Sequence, residues 1–193
     1  LSHDARRLLH VLAVAGRPLE PTVARDAAGL TGDERPVVAA LSSQHFIRAT
    51  GAPPRLEFYH DRLREGLSQR LDPADARRTH LVIAGVLEHQ GADPDVLFDH
   101  YSRGGEADRA LHYAVQAAEK ATGSFAFDHA VMYYERALEL AGAGASADVA
   151  RLERGLGDAL ASAGRGARAA RVYLDAARRS PDDALELQRR AAE

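Results

Sequence analysis

Beyond Asp72-Pro73 the chain is cut into apolar-periodic stretches by short breakers, and this punctuation constrains the fold more than any other feature. The spacing predicts helices over 74–90, 94–103, 107–122, 126–141, 147–163, 167–179 and 182–193. The breakers between them are Gly91-Ala92-Asp93-Pro94, Gly104-Gly105, Gly123-Ser124, Gly142 to Ser146, Gly164-Arg165-Gly166 and Ser180-Pro181. Connections this short force consecutive helices to run antiparallel. No strand signal interrupts them. Composition agrees: 39 of the 193 residues are alanine, and all but one of the 25 basic residues are arginine. Both are strong helix formers. The preference for arginine over lysine reads as coding bias rather than as a phosphate-binding device.

Residues 1–72 read differently. Ser2 is a good N-cap, and Leu8, Leu9, Val11, Leu12 and Val14 follow at helical spacing until Gly16-Arg17-Pro18. A second short helix is expected over 23–28, ending at Gly29. A third begins near Asp33, with Pro36 tolerated in its first turn, and buries Val37, Val38 and Leu41. Phe46 to Ala49, the turn Thr50 to Pro54, and Arg55 to Tyr59 then spell a strand, a tight polar turn and a second strand. A closing helix over 60–71 carries Leu63, Leu67 and Leu71. Three helices followed by a β-hairpin resemble a winged helix. The expected fold is mainly α: a winged-helix domain with a small β-hairpin at 1–72, then an antiparallel helical array at 73–193.

The array resembles tetratricopeptide repeats. That pattern places Trp, Leu-Gly and Tyr on one helix, then Ala, an aromatic and Ala on the next, then Pro. Leu156-Gly157 and Leu160, followed by Ala169, Tyr173, Ala176 and Pro181, fit it. Gly157, Ala169 and Ala176 would let two helices approach closely, with Tyr173 filling the gap beside them. Glu153 stands at the tryptophan position, which is expected to expose or loosen one packing point. A partial match is Ala130, Tyr134 and Ala137, and a weaker one is Leu97 and Tyr101 followed by Ala110, Ala114 and Ala117. The matching alanines step by 20 and 39 residues rather than by roughly 34. The repeats are therefore degenerate, with a loop extension expected at Gly142 to Ser146.

The sharpest local phrase is Tyr59-His60-Asp61-Arg62-Leu63-Arg64-Glu65, at the turn from the second strand into the closing helix. It resembles the winged-helix segment of signal-transduction ATPases with numerous domains, the STAND class, where a hydrophobic-His-Asp motif lies at this position. Over most of its length the chain is similar to the ATPase-to-repeat region of bacterial multidomain serine/threonine kinases. In those, a kinase domain is followed by an AAA-like ATPase, a winged helix and tetratricopeptide repeats. The resemblance implies that His60 contacts the β-phosphate of ADP in a closed state, and that Asp61 caps the following helix. Tyr59 departs from the small apolar residue often found before the histidine. On the residues alone, His60 and Asp61 can equally be a helix cap and nothing more.

The remaining features narrow the function. Cysteine is absent, so disulfides and thiolate metal sites are excluded. No apolar run approaches the roughly 18 residues of a membrane span, and no signal peptide is visible, so a cytoplasmic protein without membrane partners is expected. Residues 1–72 hold ten arginines against nine acids; the third helix offers only Arg35 and the hairpin only Arg48 and Arg55. Nucleic-acid binding needs denser cationic clusters, so no nucleic-acid partner is expected. Asp99-His100 and Asp128-His129 lie on separate predicted helices, and no ligand-spaced His/Asp/Glu cluster points to a metal. Lys120 lacks the glycines of a phosphate loop, and no nucleophile elbow or carboxylate pair stands out, so no catalytic residue is assigned. Phe98, Tyr101, Tyr113, Phe125, Phe127, Tyr133, Tyr134 and Tyr173 read mainly as core. Leu1 and the helical pattern at 185–193 suggest a piece of a longer protein.

The expectation is a non-catalytic regulatory and protein-interaction region of a signalling protein, a serine/threonine kinase with an ATPase module. The chain itself would hold no cofactor, while its parent would use ATP or ADP. Its partners would be the neighbouring ATPase domain of the same chain and a protein or peptide ligand on the helical repeats. The alternatives are a STAND-type transcriptional regulator with its DNA-binding domain elsewhere, and a plain tetratricopeptide scaffold.

Overall fold

Local capping sets the first helix, α1 (His3–Ala15): the Ser2 side chain accepts from the Ala5 amide at 3.2 Å, and the helix ends at Gly16. The computed structural model describes residues 1–142 and 147–192. It is mainly helical, with one small antiparallel hairpin among the described residues. After α1 come α2 (Pro21–Ala27), α3 (Arg35–Ser43), β1 (Ile47–Thr50), β2 (Arg55–Phe58) and α4 (Asp61–Ser68). Then follow α5 (Pro73–His89), α6 (Pro94–Gly104), α7 (Ala107–Gly123), α8 (Phe127–Ala141), α9 (Ala147–Ser162), α10 (Gly166–Arg179), a single 3-10 turn (Pro181–Asp183) and α11 (Ala184–Ala192). The chain divides into two compact units, one of Leu1–Ala92 with His100–Glu106, the other of Asp93–Asp99 with Ala107–Glu193.

The first unit is built on the apolar face of α1. Leu8, Leu9 and Leu12 pack with Leu41, Ile47, Leu56 and Ile83, all close to fully buried. The hairpin pairs Ile47 with Phe58 and Ala49 with Leu56 on one face, where Ile47, Leu56 and Phe58 are buried and Ala49 is exposed. Arg48 and Glu57 oppose each other on the outer face, as period-two alternation requires. Leu19 exchanges two backbone hydrogen bonds with Leu56, adding a third segment to the edge of β2 that the sequence did not signal.

The extent of the closing helix is corrected in this unit. The closing helix α4 stops at Ser68, so Leu71 packs on the core from the connection rather than from the helix. Asp72-Pro73 is the start of α5. Asp72 accepts from the amides of Ala74 and Asp75 at 2.8 and 3.1 Å, and Pro73 occupies the first turn. α5 packs on α1 and α2, and the first compact unit runs to Ala92. In the same unit the buried side chains His80 and His100 face each other, Nδ1 to Nδ1, at 2.9 Å.

In the second unit each helix from α7 to α11 packs on the next in sequence. The interior is largely alanine, with Ala114, Ala118, Ala130, Ala137 and Ala176 fully buried. Such small side chains bring backbones together. At Gly157 a Cβ would lie 2.4 Å from the ring of Tyr173, and at Gly155 one would lie 2.6 Å from the ring of Tyr134. The Tyr173 hydroxyl donates to Asp158 Oδ1 at 2.7 Å, and burial together with that bond pushes its pKa up to about 12. Arg190 of α11 donates to the same oxygen at 2.7 Å, so one carboxylate ties α10 and α11 to α9. The loop extension expected at Gly142 to Ser146 lies, apart from Gly142, outside the described residues.

Of the two outcomes expected at Glu153, exposure is overturned. It is buried rather than exposed, with its side chain 12% accessible and its Oε1 3.4 Å from Arg179 Nε. Its Oε2 has no hydrogen-bond partner. Burial raises the carboxyl above its ordinary range; Arg179 pulls it back and Asp175 adds to the rise. A carboxyl raised on folding stabilises fully below its unfolded value, and that contribution is lost as pH climbs through the folded value.

These contacts generate two expected outcomes. Gly157→Ala should destabilise the chain by about 1–3 kcal/mol, because the Tyr173 ring must move. Gly85→Ala, at a helical glycine with open space around it, should instead stabilise by roughly 0.5–1 kcal/mol. Urea unfolding of both variants checks the opposite signs. For Glu153→Gln, the stability difference should move in the variant's favour as pH rises from about 4 to about 7. Unfolding midpoints across that range, with a constant difference, would show that Glu153 is not penalised by burial.

Candidate functional site

The junction between β2 and α4 arises from a simple change of backbone. The hairpin continues one residue past β2, where the Tyr59 amide donates to the Phe46 carbonyl at 2.9 Å. His60 then stays extended, at φ −133° and ψ 131°, and α4 begins at Asp61. His60 is therefore the N-cap residue. Its side chain makes no capping bond and is exposed. Asp61 was expected to cap the helix; it instead occupies the first turn, where its carboxylate still favours the helix dipole and lies 3.8 Å from Arg64.

Around this junction the fold gathers an aromatic row. The Tyr59 ring is edge-on to His60 at 4.8 Å and to His45 at 5.4 Å between centroids. The Arg48 guanidinium carbon stands 5.8 Å from the centre of the same ring, while Arg48 Nε donates to Glu57 Oε1 at 2.7 Å. His45 was not singled out from sequence. It links α3 to β1 with φ 57°, a left-handed conformation that histidine tolerates better than most residues. The only sequence hint was a polar pair, Gln44-His45, where the chain must reverse without a glycine.

Beside the row lies a cleft of about 210 Å³, bordered by Arg17, Arg48, Tyr59, Asp61 and Arg64 together with Glu57. Its cations and carboxylates nearly balance. No described residue hydrogen-bonds the imidazole of His60, so its ring nitrogens are open to a ligand from outside the chain. The arrangement offers an imidazole donor, an aromatic face and a guanidinium. Among the described residues no group of three or more His, Asp or Glu could hold a metal ion.

The other sequence candidates disperse. Arg35 is held by Asp33 at 2.9 Å, Arg48 by Glu57 at 2.7 Å, and Arg55 lies 3.8 Å from Glu20. The hydrogen bonds from Arg35 hold the Asp33 carboxyl below its usual range. Lys120 pairs with Asp93. Tyr101 and Tyr173 are buried as expected, but Phe125 is 80% exposed at φ 58°, its ring edge-on to Phe127. Among the described residues no helix is long and apolar enough to cross a membrane.

Because α4 lacks a side-chain cap, His60→Ser should stabilise the first unit by about 0.5–1 kcal/mol. Urea unfolding checks this, and a loss of stability would show that the His60–Tyr59 contact outweighs a cap. No protein-family model matches the chain, and no curated protein or solved structure matches it either.

Proposed function

We propose that α1 to α4 with the hairpin form a winged helix and that the following helices form a tetratricopeptide-like array. In this reading the chain is a non-catalytic regulatory region of a multidomain signalling protein, a serine/threonine kinase with an ATPase module. It couples the nucleotide state of that neighbouring module to recognition of a protein or peptide on the helices. The observation that carries the reading is the exposed His60 imidazole, uncommitted to capping, at the turn from β2 into α4. Three short helices before an antiparallel hairpin, with Leu19 bridging to β2, support the first half. The consecutive packing of α7 to α11 and the contact of Tyr173 with Gly157 support the second.

A hydrogen bond from His60 to a charged phosphate would be worth roughly 1.5–3 kcal/mol, or about 10- to 150-fold in affinity. In the protein that joins this chain to its ATPase module, His60→Ala should speed ADP release by that factor and shift the population toward the open state. Stopped-flow measurement of ADP off-rates in wild type and variant tests it. Equal off-rates would remove the sensor role and leave the segment as a joint between hairpin and helix.

A further inference from the structure

The face of α1 turned away from the core carries a second candidate site, in a different part of the first unit. His3, Arg6, Arg7 and His10 are spaced i, i+3, i+4 and i+7, so they share one side of the helix over about 10 Å of rise. All four line one cleft of about 420 Å³, together with Val11, Ala27, Ala28 and Thr79. That volume falls within the ordinary range of small-molecule sites. The lining holds two arginines, two histidines and no carboxylate. The nearest acid on the same helix is Asp4, whose Oδ1 is 3.8 Å from His3 Nδ1.

His10 is the most firmly placed of the four side chains. His10 Nε2 lies 3.1 Å from Thr79 Oγ1, and the Thr79 hydroxyl already donates to the Asp75 carbonyl at 2.9 Å. Thr79 can therefore only accept, which makes His10 Nε2 the donor and orients the ring. Arg6 Nε donates to the Leu1 carbonyl at 3.2 Å, leaving its terminal nitrogens uncommitted. Arg7 lies over Gly29, where a Cβ would come within 2.4 Å of Arg7 Nη2. Gly29 follows α2 with φ +61°, so this position both needs a glycine for its conformation and, lacking a side chain, leaves room for the guanidinium. Unlike Arg35 and Arg48, neither Arg6 nor Arg7 has a carboxylate partner among the described residues.

We propose that this cleft binds a small organic phosphomonoester, its phosphate held by Arg6 and Arg7 and its apolar part resting on Val11, Ala27 and Ala28. Two planar guanidinium forks match the oxygens of a dianion, whereas a carboxylate would engage only one of them well. The short apolar floor separates this site from one for inorganic phosphate.

The test uses phenyl phosphate as the probe, titrated into chain 1–193, with binding followed by calorimetry and by the imidazole NMR signals of His3 and His10. Phenyl phosphate should bind saturably and move both signals. Benzoate and inorganic phosphate should each bind at least several-fold more weakly. Arg6→Gln and Arg7→Gln should each weaken phenyl phosphate by about tenfold or more, and the double variant should abolish saturation. Arg7 is packed against Gly29, so its variant is compared with wild type by unfolding midpoint. Arg6, an exposed residue whose side chain donates to the Leu1 carbonyl, keeps the test valid if Arg7→Gln fails to fold. Unchanged affinity in a folded Arg6→Gln variant, equal affinity for benzoate, or absence of saturation in the wild type would each overturn the proposal.

Discussion

Two tyrosine rings laid on bare helix backbone set how closely α8, α9 and α10 approach. Gly155 and Gly157 sit two residues apart on α9; the first receives Tyr134 of α8 and the second Tyr173 of α10. Residues two apart point to different sides of a helix, so α9 can accept one neighbour on each side. The alanines around these contacts follow from them. Once the backbones are this close, Ala130, Ala137, Ala169 and Ala176 are what the remaining space admits. Glycine costs helix propensity at these positions, and the buried aromatic area offsets that cost.

Polar groups in the same region lock the geometry that the rings allow. Asp158 accepts from both Tyr173 and Arg190, and Arg190 also donates to Glu186 at 2.9 Å. The tyrosine stays protonated across ordinary pH because its burial and its bond to a carboxylate both oppose ionisation. Glu153 is the counterexample. It stands inside the same packing with one oxygen unsatisfied, the kind of buried charge that lowers stability while leaving the architecture intact.

The first unit uses its exposed surface differently from its core. The hairpin turns Ile47, Leu56 and Phe58 inward and pairs Arg48 with Glu57 outside, which leaves little net field on that face. The outer face of α1 does the reverse, concentrating like charge over a small apolar floor. The Tyr59 row lies between these extremes, with Arg48 shared between an ion pair and an aromatic ring. Two chemically distinct surfaces thus arise on one small core, because a helix and a hairpin turn only half of their residues inward.

Helix ends and element types were legible in the sequence because they depend on residues within a few positions of one another. Ser2, Asp72-Pro73 and the breakers from Gly91 onward act through caps and backbone restrictions that are local. The closeness of α9 and α10 was also legible, since Gly157, Ala169, Tyr173 and Ala176 are spaced for one hairpin of helices. Only the tertiary structure decided where α5 belongs, whether Glu153 faces water, and that Leu19 meets Leu56. It alone brought His45 to Tyr59, and laid Arg7 against Gly29 and His10 against Thr79. Those contacts join residues 14 to 69 positions apart in the chain. Their formation depends on how connections route and how helix faces rotate to fill a core, which no local spacing specifies.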